Sequence, residues 1–105
     1  MAVKPNRKRY ILFEIISDKE IGFELSKRAI LDSVEKLIGS LGISKADLKL
    51  LPDFYSKNQG IISANHDYIP KIKLGVALIE RIGNQDVIVR TTKVFGTLKK
   101  IKNMI

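Results

Sequence analysis

A chain of 105 residues, 45% hydrophobic and 29% charged, is long enough for one compact domain with a real core, too short for two, and too apolar to be wholly disordered. It has no cysteine, which excludes disulfides, thiolate metal sites and thiol nucleophiles and suits a reducing cytosol, so a cytoplasmic location is expected. No apolar run reaches the roughly eighteen residues that a membrane helix needs, and Glu14 interrupts the apolar stretch after the first basic cluster, so neither a span nor a signal peptide is expected.

The net charge of +8 is gathered at the ends. Residues 1–10 hold Lys4, Arg7, Lys8 and Arg9 with no acid, for +4; after Asp86 come Arg90, Lys93, Lys99, Lys100 and Lys102 with no acid, for +5; the middle sums to −1. One basic terminus often does no more than aid solubility, but two favour a polyanionic partner.

In chain order, a basic tail over 1–8 leads into a β-branched and aromatic run, Arg9 to Ser17, that reads as a strand apolar on both faces. From Gly22 to about Leu41 the apolar residues Phe23, Ile30, Val34, Leu37, Ile38 and Leu41 recur at helical spacing. Gly39 and Gly42 offer left-handed stops, and Ser44 to Asp47 resembles the start of one short helical turn. Lys49 to Tyr55 has strand composition but contains Pro52, which cannot donate to a ladder and so predicts an edge strand. Ser56 to Gly60 reads as a hairpin loop before a short strand, Ile61 to Asn65, after which Asn65 or Asp67 is placed to cap a helix. That helix is expected over Tyr68 to Ile82, with Ile69, Ile72, Val76, Ile79 and Ile82 inward, Gly75 allowing close backbone approach, and Leu74 and Leu78 on its flank. Asp86 to about Val94 reads as a buried final strand, and 97–105 as a short helix with Leu98, Ile101 and Ile105 on one side.

The order β-α-β-β-α-β is the split βαβ arrangement of ferredoxin-like and RNA-recognition folds: α+β, an antiparallel sheet with both helices on one face, in one domain over 1–105. Its strand order, 4-1-3-2, puts Pro52 on an edge and makes the first and last strands antiparallel neighbours. The basic segments should then converge, with Arg7, Lys8, Arg9, Lys93, Lys99 and Lys100 in one patch.

Little here points to catalysis. His66 is the sole histidine and the acids are scattered, so no catalytic residues, no metal site and no bound cofactor are expected. The third strand lacks the aromatics with which RNA-recognition motifs stack bases, and Tyr10 is the one aromatic expected on the open face, to stack or to pack under the C-terminal segment. Binding should instead address phosphate and RNA shape, through the basic patch and backbone amides at Gly96-Thr97, although Gly96 serves equally well to relieve backbone strain.

Arg9-Tyr10-Ile11, Gly60-Ile61-Ile62, Ala77-Leu78-Ile79 with Ile82-Gly83, and Val87-Ile88-Val89-Arg90-Thr91 followed by Gly96-Thr97-Leu98-Lys99-Lys100 resemble, in order, the archaeal ribonuclease P protein component 2 family. The resemblance implies a non-catalytic subunit that stabilises the RNA component, which itself cleaves the 5′ leader from precursor tRNA with Mg²⁺. It implies as partners that RNA, precursor tRNA within the complex, and a TIM-barrel-like protein subunit, in a pair of each. By the same likeness Arg90, Gly96, Thr97, Lys99 and Lys100 carry over as RNA contacts, and Leu74 and Leu78 become a candidate protein interface. Phe95 and Ser63 depart from the pattern, standing where the family often has Ser and a basic residue. Two other classes share the topology, an ACT-like small-molecule sensor and a basic protein adaptor; neither accounts as directly for acid-free ends.

Overall fold

The computed structural model describes residues 7–97. The expected 97–105 helix and most of the basic tail therefore lie outside the described residues.

Strand β1, Lys8–Ile16, starts at the last residue expected in the tail. Ile11, Phe13 and Ile15 are buried and the residues between them are not, the two-residue alternation of a strand covered mainly on one face. Helix α1, Phe23–Ala46, is two helical parts joined across a kink at Gly39, so its first part ends close to the expected end at about Leu41. Its inward residues Ser26, Ile30, Val34, Gly42 and Ala46 follow a four-residue spacing, which drifts about 40° per step on a regular helix. Gly39, at φ 76° and ψ 171°, breaks the helix and aims its second half back at the core. Gly39 is thus the positive-φ stop that its position offered, while neither Gly42 nor Ser44 stops or starts a helix. Leu37 and Leu41, expected on the apolar face, are exposed. The helix ends on Asp47 in the left-handed conformation, φ 49°.

Strand β2 is only Lys49–Leu50, because Pro52 opens a single 3₁₀ turn, Pro52–Phe54, after a last ladder bond from Leu51 N to Ile61 O at 3.1 Å. Tyr55 then enters the core edge, its ring centroid 6.4 Å from Phe13 and 5.7 Å from Phe23. Its hydroxyl donates to Ile21 O at 2.5 Å and lies 2.8 Å from Ser26 Oγ, and burial holds its pKa above the ordinary tyrosine value. Lys57 and Asn58, both at positive φ, form a two-residue hairpin turn closed by reciprocal bonds between Ser56 and Gln59. Asn58 also accepts from Ile21 N at 2.7 Å, tying this turn to the chain entering α1.

Strand β3, Gln59–Asn65, leads through a 3₁₀ turn at His66–Tyr68 into α2, Ile69–Ala77. Neither Asn65 nor Asp67 caps the helix; the Asn65 side chain donates instead to Lys45 O at 2.7 Å. The expected continuation to Ile82 is replaced by a small hairpin, β4 (Arg81–Ile82) and β5 (Gln85–Asp86), turning at Gly83. Ile79 and Ile82 remain buried, so a helical spacing of core residues was satisfied by the connector after α2 and by β4. At Gly75 an added Cβ would lie 2.9 Å from Val34 Cγ2, the close helix approach that its sequence position predicts.

Strand β6, Ile88–Phe95, completes a four-stranded antiparallel sheet in the order β2-β3-β1-β6. Lying at an edge, it is not the buried strand expected: of its residues only Val89 is buried, and Ile88 is 62% exposed. Leu12 pairs with Lys93 and Phe13 with Thr91, so Thr92 is bulged, and its hydroxyl donates to Leu12 O at 3.2 Å. No helix among the described residues is long and apolar enough to cross a membrane.

Candidate nucleic-acid interface

Because β1 and β6 are antiparallel, the start of one meets the end of the other: Tyr10 stands opposite Phe95, and Ile11 opposite Val94. One residue outward on each strand, Arg9 Nη1 lies 3.9 Å from where a Cβ on Gly96 would be, and donates to Lys8 O at 3.0 Å. The first basic segment and the Gly-Thr corner are therefore adjacent. Gly96 does not have the positive φ that favours glycine, and among the described residues nothing would crowd a side chain there, so strain relief does not account for it. Gly96 is exposed beside the guanidinium. Thr97 is exposed beside it.

The other expected contacts divide. Lys93 is exposed, opposite Leu12 in the same strand pair. Arg7 is exposed, and its carbonyl accepts from His66 N at 2.8 Å, extending the β1–β3 ladder. Lys8 pairs with Asn65 of β3 and its ammonium is ion-paired to Asp47, beyond the opposite side of β1 from the corner. That hydrogen bond, before any other influence, holds the Asp47 carboxyl below the ordinary carboxylate range. Arg90 is ion-paired to Glu14 and lies five residues before Phe95, about 17 Å along the strand. Lys99 and Lys100 fall outside the described residues. Of the single patch expected from topology, the described residues bring together Arg9 and the Gly96-Thr97 corner with Arg7 nearby; Lys93, opposite Leu12, is exposed on the other face of the sheet from Arg9, and Lys8 and Arg90 are each engaged by an acid.

Tyr10 is not the one aromatic on its face of the sheet, since its cross-strand partner Phe95 shares that face. Both are half-buried. On the same face, Ile61 and Ser63 of β3 are buried. The central strand is closed to base stacking, and Ser63 offers nothing to solvent.

Two acids that composition alone does not single out bear on the candidate site. Glu14 and Asp47 decide which basic side chains are available, and the one signal for either is Glu14 interrupting an apolar strand. Leu74 and Leu78 are 53% and 55% exposed, and Leu78 lines a groove of about 380 Å³ with Leu25, Arg28 and Ile82. Among the described residues no group of three or more His, Cys, Asp or Glu side chains is placed to hold a metal ion.

A family model described as the Rpp14/Pop5 family matches residues 9–105. Ribonuclease P protein component 2 of Pyrococcus furiosus is 28% identical over 97 residues, covering 92% of this chain and 81% of the relative. The protein of that name from Sulfurisphaera tokodaii is 31% identical over 98 residues, covering 93% of this chain and 78% of its own. In fold, a chain of the cryo-EM structure of yeast ribonuclease MRP is similar with a TM-score of 0.68 at 12% identity, covering 98% of this chain and 94% of that one. The ferredoxin-like arrangement therefore persists where sequence likeness has nearly gone. With the match running from the first strand to the last residue, this chain belongs to the Rpp14/Pop5 family.

Proposed function

We propose that this chain is a non-catalytic protein subunit of ribonuclease P, which binds the RNA component and stabilises the fold in which that RNA, with its own Mg²⁺, removes the 5′ leader from precursor tRNA. The observation that carries the proposal is the placement of the Arg9 guanidinium beside the exposed Gly96 corner, with Lys93 on the same strand pair. Guanidinium and ammonium groups neutralise phosphates, and exposed backbone amides add directional bonds to phosphate oxygen. Lys99 and Lys100, following directly in sequence, extend the same basic segment. Family membership and the names of the relatives support the choice of ribonuclease P over other RNA assemblies.

In this reading the chain holds no reacting atoms and acts on the RNA's shape. With about five phosphates neutralised, the logarithm of the binding constant should fall against the logarithm of salt with a slope of roughly −3.5 to −4.5. A TIM-barrel-like subunit is the proposed protein partner, in a pair of each, with Leu74 and Leu78 as its contact. The test is reconstitution of the RNA with the barrel-like partner, with and without this chain, measuring precursor-tRNA cleavage at moderate Mg²⁺. Cleavage should rise when the chain is added; an unchanged rate would sink the proposal.

A further inference from the structure

Cations on opposite faces of a sheet cannot share one flat patch, but they can share its edge. Strand β6 is the long edge here: β1 pairs with one side of it and no described strand with the other, so alternate backbone N–H and C=O groups face outward. Lys93 borders this edge on the open face of the sheet, while Arg9, opposite the buried Ala64, lies on the helix face at the Gly96 end. Helix α2 brings a third cation. Ile72 and Val76 point inward, and Gly75, against Val34, marks the flank turned to α1. At about 100° per residue, Lys73 then falls on the opposite flank and Lys71 on the α1 flank. Because α2 packs on β6 and α1 on β3, the flank away from α1 is the one over the β6 edge. The end of β3, from which α2 runs back, lies beside the end of β1 that also meets Phe95. Lys73, about 6 Å into the helix, is therefore level with the last residues of β6.

Resting on the reading that this chain binds RNA, we propose that the free edge of β6, from the Gly96 corner to about Thr92, is the track along which the RNA backbone runs. Arg9 and Lys73 meet phosphates from the helix face and Lys93 from the open face, with outward N–H groups of β6 donating to phosphate oxygens between them. Lys73 is exposed and has no acidic partner among the described residues. Asp67 and Glu80, the acids before and after α2 in the chain, line grooves shared with α1, and β6 itself holds no acid. Val94, on the helix face opposite the fully buried Ile11, is 38% exposed, so α2 leaves the edge open at this level. A protein strand suits the edge less well. The bulge at Thr92 interrupts its ladder and lysines flank it, two features that keep edges from pairing, whereas a phosphate backbone needs no regular ladder.

The test is binding of the ribonuclease P RNA to the full chain, measured from about 0.1 to about 0.4 M KCl at fixed Mg²⁺. Lys73→Ala should weaken binding about six-fold at the lowest salt and lower the salt slope by about 0.8, as one lost phosphate contact gives. Lys71→Ala removes the same charge from the other flank of the same helix, and should stay within about two-fold of the parent chain with an unchanged slope. Both positions are exposed, and circular dichroism checks that both variants fold. Amide hydrogen exchange reads the backbone directly: bound RNA should slow exchange in β6 and leave the opposite sheet edge, β2, unchanged. Equal losses in the two variants, no loss in Lys73→Ala, or unchanged exchange in β6 with RNA bound would overturn the edge track and leave the RNA-binding reading standing. Protection of β6 by the barrel-like subunit in the absence of RNA would likewise overturn it, marking the edge as one that pairs with protein. Failure of the parent chain to bind the RNA would overturn both.

Discussion

The two ends of the β1–β6 strand pair are built from the same kinds of residue and present different chemistry. At one end Tyr10 faces Phe95, Arg9 lies beside an exposed Gly96 corner, and Lys93 is exposed opposite Leu12 on the other face of the sheet. At the other, Glu14 faces Arg90 and Ile16 faces Ile88, so the cation is matched by an acid and the flanking pair is aliphatic and exposed. Counting charges along the chain treats Arg90 and Lys93 as equals, three residues apart. Their cross-strand partners make one a neutralised pair and leave the other opposite Leu12.

The comparison is broken most sharply by removing the open end. The double substitution Arg9→Ala with Lys93→Ala should weaken RNA binding on the order of 40-fold at 0.1 M salt and lower the salt slope by about 1.6, if each contacts one phosphate, while circular dichroism and melting stay near those of the parent chain. A slope that does not move would remove the corner from the interface. Glu14→Gln tests the closed end in the opposite direction. Freed of its acid, Arg90 should strengthen binding by up to about six-fold and steepen the slope by up to about 0.8. Arg90→Ala, by contrast, should change affinity no more than about two-fold and cost under about 1 kcal/mol of stability, since an exposed ion pair contributes about 0.2–1 kcal/mol. If Arg90→Ala proved as damaging as the double substitution, the distinction between the ends would be wrong.

The order of elements was legible because each carries a local signature: the β-branched run of β1, the helical spacing of Ile30 and Val34, Pro52 at an edge strand, and Gly75 at a helix crossing. Topology then placed Arg9 near Gly96, residues far apart in the chain, because antiparallel neighbours must meet end to end. The misreadings share a cause. Ile79 and Ile82 fit a helical period but are buried from a connector and a hairpin strand, and Ile88 looked buried although it belongs to an edge. Apolar spacing says that a side chain seeks a core; it does not say which backbone delivers it or whether a neighbour covers it. The least legible feature was which cations are already answered. Glu14 and Arg90 are 76 residues apart, Lys8 and Asp47 are 39 apart, and both pairs follow from register and packing, which no linear charge count contains.

The smallest expected effect concerns the second neutralised cation, Lys8, and its sign can be worked out. The Lys8 ammonium holds the Asp47 carboxyl below its ordinary value of 3.8, against an opposing influence of burial and with further help from Lys49. A carboxyl with a depressed folded-state pKa stabilises the fold above its unfolded pKa, and loses that contribution as pH falls through the folded-state value. Asp47→Asn should therefore lower stability by less than about 1 kcal/mol at neutral pH, as befits a pair exposed to solvent, with the difference from the parent chain shrinking below about pH 4. Asn is a clean substitute because it adopts the left-handed conformation that residue 47 requires at the end of α1. Urea unfolding of both chains from pH 3 to 7 measures this; a stability gap that stays constant into acid would mean that Asp47 matters through its backbone position and not through its charge. The same variant releases Lys8, so any accompanying gain in RNA affinity would show that a cation at the β3 side of β1 can join the interface once its acid is gone.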